Sequence, residues 1–254
     1  MNTATMNDLI LRPKEKRLID PSGSRIFCIG DVKGNYYALQ ALLTKIEEYE
    51  RAQNDVVVFL GNYIGWGKKS KECFNLLLQY QAADKESVHL LKGKTEFLVS
   101  SGFVGKSPDF VPIKKSYVTQ RKVNSYPLST VNDRVDIPKL MEHMHKMEEL
   151  PYKMTYKNIL FTNSGLDFRK TKVDDLTEGA CLFSTNESMR KYDSCIENKF
   201  LVHGGIPTQN GEVDVRKNRI NLCTIDKGYL SAVVLKGSSP EDIEVEEEIR
   251  VKIE

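Results

Sequence analysis

Three consecutive units between residues 25 and 96 each run from an apolar stretch into a polar, glycine-containing loop. Residues 25–30 read as a buried strand that ends in the tight turn Gly30-Asp-Val-Lys-Gly-Asn35. An apolar-periodic helix follows over about 36–52, with Ala38, Leu39, Ala41, Leu42, Leu43 and Ile46 on one face. Residues 56–60 form an unbroken apolar run, the pattern of a strand covered on both faces. This run leads into Gly61-Asn-Tyr-Ile-Gly-Trp-Gly67 and then a helix over 71–82. The third strand, 87–92, ends in Gly93-Lys-Thr-Glu96. Such repetition predicts a mainly parallel sheet with helices packed on it and its loops gathered at the carboxyl edge.

The remainder of the chain adds strands to this frame. Residues 137–150 are amphipathic, with proline in the first turn and Leu140, Met144, Met147 and Met141 facing inward. Strands are expected over 152–156 and 158–162, and a strand and turn over 200–207, with a short helix near 184–191 before the last. Residues 219–224 and 230–235 read as antiparallel closing strands, and Ile249, Val251 and Ile253 alternate as an edge strand in an acidic tail. The predicted organisation is a polar extension over 1–24 and one domain over 25–240, with a helical and basic region at 103–150. The tail covers 241–254.

Composition narrows the function classes. A net charge of +2 on 254 residues gives no general argument for nucleic-acid or membrane binding. No apolar run has the length of a signal peptide core or a membrane span. Five cysteines, none spaced as C-x-x-C, fit free buried thiols in a reducing compartment. A cytoplasmic protein, cellular, phage or viral, is the expectation. His143 and His145 stand two apart on a helix and do not share a face, which argues against a metal site there.

Taken together, the loops resemble the calcineurin-like metallophosphoesterases, and most closely their bacterial and phage serine/threonine phosphatase and diadenosine-tetraphosphatase branch. That family carries Gly-Asp-x-His-Gly, Gly-Asp-x-x-Asp-Arg-Gly, Gly-Asn-His-Glu, His-Ala-Gly and Gly-His-Thr in order. Here the corresponding stretches are Gly30-Asp-Val-Lys-Gly34, Gly61-Asn-Tyr-Ile-Gly-Trp-Gly67, Gly93-Lys-Thr-Glu96, Asn163-Ser-Gly165 and Gly204-Gly-Ile206. The resemblance spans about 25–236. It implies an α/β fold, a calcineurin-like metallophosphoesterase sandwich of mixed β-sheets flanked by helices.

It also implies chemistry by two adjacent divalent cations that polarise the phosphate and activate water. Carried over position by position, Asp31 keeps the first carboxylate, while the first-motif histidine is Lys33. The bridging aspartate is Asn62, the second aspartate Gly65 and the phosphate-holding arginine Trp66. The asparagine ligand is Lys94 and the catalytic histidine Thr95, with Glu96 kept. The later histidines are Asn163 and Gly205, and His203 matches no ligand position. Protonated lysine has no lone pair for a metal. A unit charge about 4 Å from a divalent ion costs roughly 8 kcal/mol at an effective dielectric near 20. The expectation is therefore a chain without metal cofactor or catalysis, a pseudophosphatase acting through a protein partner.

Two readings of the cleft stay open. Lys33 and Lys94 hold loops together by replacing lost positive charge, or they make a pocket for a phosphorylated small molecule with Asp31, Asn62, Trp66, Thr95, Glu96, Asn163 and His203. A divergent surviving phosphatase is the remaining alternative. The basic stretch with Lys114, Lys115, Arg121 and Lys122 is a solvated face or a contact for a partner or nucleic acid. Cys223, where the family usually has aspartate, reads as a buried thiol.

Overall fold

A computed structural model of the chain describes residues 24–49, 51–104, 130–131, 134–135, 137–166, 172–185, 197–237 and 241–253. Two five-stranded mixed sheets form the centre. Sheet 1 has the order β12-β11-β1-β2-β3 and contains β1 (Ile26–Ile29), β2 (Val56–Phe59), β3 (Val88–Leu90), β11 (Tyr229–Lys236) and β12 (Glu244–Lys252). Sheet 2 has the order β6-β7-β8-β10-β9 and contains β6 (Lys153–Tyr156), β7 (Ile159–Thr162), β8 (Phe200–His203), β9 (Asp214–Arg216) and β10 (Arg219–Asn221). β4 (Thr130–Val131) and β5 (Arg134–Val135) form a separate small hairpin.

The period of two in β1 explains the layering. Ile26 and Cys28 face sheet 2 and pack with Val58, Phe161 and Val202. Phe27 and Ile29 face the other way, into a core with Leu39, Leu42, Leu43, Ile46, Phe74 and Leu77. These last residues come from α1 (Tyr36–Glu48) and α2 (Ser70–Ala83), which cover sheet 1. α3 (Lys94–Val104) and α4 (Ile137–Glu149) follow in chain order, and α4 adds Leu140, Met144 and Met147 to that core. On the outer face of sheet 2, Leu160 and Leu201 pack with Leu166, Leu176 and Cys181, the last from α5 (Glu178–Leu182).

β1, β2 and β3 are parallel, as the repeated units predict. β11 closes on β1 antiparallel, and β12 pairs antiparallel with β11 at the edge of the sheet. One closing strand differs from expectation. β10 runs parallel to β8 and antiparallel only to β9, because it returns alongside β8 through the β9 hairpin. A short helix runs over Glu178–Leu182, where Thr177 caps it by accepting from Ala180 N at 3.3 Å, while most of the helix expected near 184–191 falls outside the described residues. Residues 186–196, the extension before residue 24 and the basic residues Lys114, Lys115, Arg121 and Lys122 lie outside the described residues. No helix among the described residues is long and apolar enough to cross a membrane.

This topology brings the carboxyl ends of β1, β2, β3, β7 and β8 to one edge. The loops after them are the five stretches singled out in the sequence.

Candidate active site

Asp31 lies two residues past the end of β1, after Gly30, and is 1% exposed. Its Oδ1 accepts from Gly205 N at 2.9 Å. Its Oδ2 accepts from Asn62 Nδ2 at 3.0 Å and from the Cys223 thiol at 3.4 Å, and lies 3.5 Å from Lys33 Nζ. Gly204 makes room for this carboxylate, since a Cβ there would fall 2.6 Å from Asp31 Oδ1.

Lys33 is buried, and its backbone is left-handed with φ of 48°. That conformation is uncommon for a bulky residue. Hydrogen bonds on both sides enforce it: Lys33 N donates to Asn62 O at 2.7 Å, and Gly67 N donates to Lys33 O at 2.8 Å. The side chain ends between two acids. Nζ reaches both carboxylate oxygens of Asp226 at 3.0 Å and lies 4.9 Å from the centre of the Trp66 ring. Burial works against the charged amine, but Asp31 and Asp226 outweigh it and hold the Lys33 pKa above its ordinary value.

Asn62 and Glu96 form a second cluster. Asn62 Oδ1 accepts from Thr95 N at 3.0 Å and shares the Thr95 hydroxyl, at 3.1 Å, with Glu96. With its amide nitrogen on Asp31 and its oxygen on Thr95, the orientation of Asn62 is fixed by its partners. Glu96 is fully buried. It accepts from the backbone N–H groups of Asn62, Tyr63, Ile64 and Gly93 at 2.8–3.1 Å. Burial nevertheless raises its pKa, against the hydrogen bonds from Ile64, Asn62 and Thr95, which pull it down. Glu96 thus pins the loop after β2 to the start of α3.

The remaining candidate residues stand apart from Asp31 in different ways. Asn163 ties two loops together: its Oδ1 accepts from Lys94 N at 3.0 Å and its Nδ2 donates to Leu60 O at 2.8 Å. The Lys94 side chain does not join the cluster. It is exposed, with Nζ 5.1 Å from the Phe183 ring centre. Trp66 is 55% exposed at the rim. His203 is fully buried, with Nδ1 on Gly204 O at 3.1 Å and Nε2 on Arg219 Nη1 at 3.3 Å. A carbonyl requires a donor, so Nδ1 carries the proton and Nε2 accepts from the guanidinium. Burial lowers the His203 pKa to about 4, which keeps the ring neutral near pH 7.

Two residues of this cluster were not among the sequence candidates for the pocket. Asp226 lies in the 3₁₀ turn Ile225–Lys227 and provides the outer partner of Lys33. Cys223, read from the sequence as a buried thiol, donates to Asp31. Burial and the neighbouring Asp31 push that thiol well above its ordinary pKa, so it stays protonated. Each lies more than 190 residues from its partner, at separations of 193 and 192.

The donor set does not fit two adjacent divalent cations. Among the described residues no group of three or more His, Cys, Asp or Glu is placed to hold a metal ion. The oxygens of Asn62 and Asn163 that could ligate are already engaged by Thr95 and Lys94 N. The place beside Asp31 is taken by an ammonium group.

Residues 24–229 match the model of the family described as calcineurin-like phosphoesterase. A probable serine/threonine-protein phosphatase of Encephalitozoon cuniculi (strain GB-M1) is 25% identical over 230 residues, covering 82% of this chain. The chain spans only 44% of that relative's length. A serine/threonine phosphatase structure from Saccharomyces cerevisiae superimposes with a TM-score of 0.57 at 13% identity, covering 98% of this chain and 86% of its own. A metallophosphoesterase structure from Sphaerobacter thermophilus gives 0.50 at 14% identity, with 91% and 89% covered. These comparisons correct the expectation that the chain is not an enzyme. The matching family is one of phosphoesterases, and the relatives bear the names of phosphatases or phosphoesterases.

Proposed function

The chain belongs to the calcineurin-like phosphoesterase family, and from that premise we propose that it hydrolyses a phosphate ester in the cleft around Lys33. The observation that carries this reading is the placement of one ammonium between two unequal acids. Asp31 is closed off, whereas the Asp226 side chain is 28% exposed. A phosphoryl oxygen offers Lys33 the same kind of charge-assisted bond as Asp226. An arriving phosphoryl group takes the place of Asp226, while Asp31 keeps the inner side of the amine fixed. Water attacks phosphorus, the bond to the ester oxygen breaks, and the products are phosphate and an alcohol. Positive charge held next to the phosphoryl oxygens stabilises the transition state without reorganisation. Trp66 stands at the rim, where the rest of the substrate would lie.

The name of the Encephalitozoon relative makes phosphorylated serine and threonine the first substrates to assay. The test is phosphate release from phosphoserine and phosphothreonine peptides and from p-nitrophenyl phosphate. The expected result is turnover by the wild-type chain and a loss of about 100-fold in kcat/KM for Lys33→Met, the size found when one transition-state donor is removed. No release from any of these esters, or equal turnover by Lys33→Met, would overturn the reading.

A further inference from the structure

We propose that the Lys33 ammonium replaces a metal cation as the charge that assembles this cleft, so that a divalent ion and Lys33 exclude one another. The inference deepens the hydrolytic reading of the same cleft, on which it rests. Its test reads stability and ion content, so it can fail separately from turnover.

The argument starts at Asp31. Of its four partners, Gly205 N, Asn62 Nδ2 and the Cys223 thiol are neutral, and only Lys33 carries charge. A carboxylate sealed from water is held by hydrogen-bond donors, by countercharge or by both, and at Asp31 the ammonium adds charge to three neutral donors. The chain also goes to some length to deliver it. Lys33 holds a left-handed backbone, braced by Asn62 O and Gly67 N. Gly65 packs so close that a Cβ there would lie 3.0 Å from Lys33 Cβ. Asp226 and the Trp66 ring close the remaining sides of Nζ.

The neighbouring amides point to the same conclusion. Asn62 turns its nitrogen, not its oxygen, toward Asp31, and its oxygen serves Thr95. The Asn163 oxygen serves Lys94 N. A divalent ion beside Asp31 would have to displace the ammonium and turn these amides, which already satisfy buried N–H groups.

The test is thermal unfolding of wild type, Lys33→Met, Asp31→Asn and the double variant, each with EDTA and with manganese. Ions per purified chain are counted by mass spectrometry. The wild type is expected to carry no stoichiometric metal and to unfold at the same temperature in both buffers. Lys33→Met is expected to fall by about 6–12 °C, as for a buried ion pair broken on one side in a chain of this size. The double variant should recover at least about half of that loss, because it removes the stranded charge. One or two tightly held ions per wild-type chain would overturn the proposal. So would an unchanged Lys33→Met, or a double variant no more stable than Lys33→Met. If Lys33→Met does not fold, the wild-type ion count and its response to manganese decide.

Discussion

Glu96 and Asp31 are both buried carboxylates at the carboxyl edge of sheet 1, yet their surroundings differ. Glu96 is held by four backbone N–H groups and a hydroxyl. Asp31 is held by one backbone N–H, an amide, a thiol and an ammonium. The Glu96 cluster is neutral apart from the acid itself and has no opening toward solvent. Its task is to fix loops. The Asp31 cluster contains a cation whose outer partner, Asp226, is partly open, and an exposed indole stands over that cation. The difference teaches where a ligand can act: a phosphate can compete for Lys33, but nothing can compete for Glu96 without unfolding the loops.

The sharpest way to break this contrast is Glu96→Ala, which leaves four buried N–H groups without partners. At about 1–3 kcal/mol for each orphaned group, even partial relaxation leaves a loss of at least about 4 kcal/mol. Denaturant unfolding measures it, and a loss smaller than that of Lys33→Met would reverse the assigned roles. Lys33→Met comes next, at about 3 kcal/mol, together with the fall in turnover given above. That pairing of stability with activity is what separates the Asp31 cluster from the Glu96 cluster.

A third buried group, His203, tests whether neutrality matters in the same way on sheet 2. Its folded pKa is lowered to about 4 from an ordinary 6.5. In that window the unfolded chain binds the proton and the folded chain does not. The stability is therefore fully present above pH 6.5 and is lost as the pH falls toward 4, by on the order of 3 kcal/mol. Urea titrations at pH 7 and pH 4.5 should show this slope, and His203→Gln should flatten it. The smallest effect on stability is expected for Trp66→Ala, below about 1 kcal/mol, since an exposed cation–π contact contributes little. Its effect should appear instead as a raised KM for phosphorylated peptides. An unchanged KM would remove Trp66 from the substrate rim.

Much of the frame was legible because it is local. The apolar stretches at 25–30 and 56–60 read as buried strands, and β1 and β2 are buried along their whole length. The loop residues after each strand also fall where the ordered motifs place them. What the sequence did not disclose is pairing over long separations. Nothing local to Asp226 or Cys223 marks them as partners of Lys33 and Asp31, because a turn residue's contact is set by the packing of β10 and β11 against β1. The two lysines also looked equivalent as cations facing the cleft. Residue 33 is turned inward by its left-handed backbone, whereas Lys94 opens α3 and sends its side chain outward to Phe183.

The most direct test of the central claim is anomalous diffraction from crystals of the wild-type chain grown with manganese. The account predicts ordinary density for the Lys33 side chain between Asp31 and Asp226 and no anomalous peak within coordination distance of Asp31. One or two manganese peaks bound by Asp31, with Lys33 turned away, would contradict it.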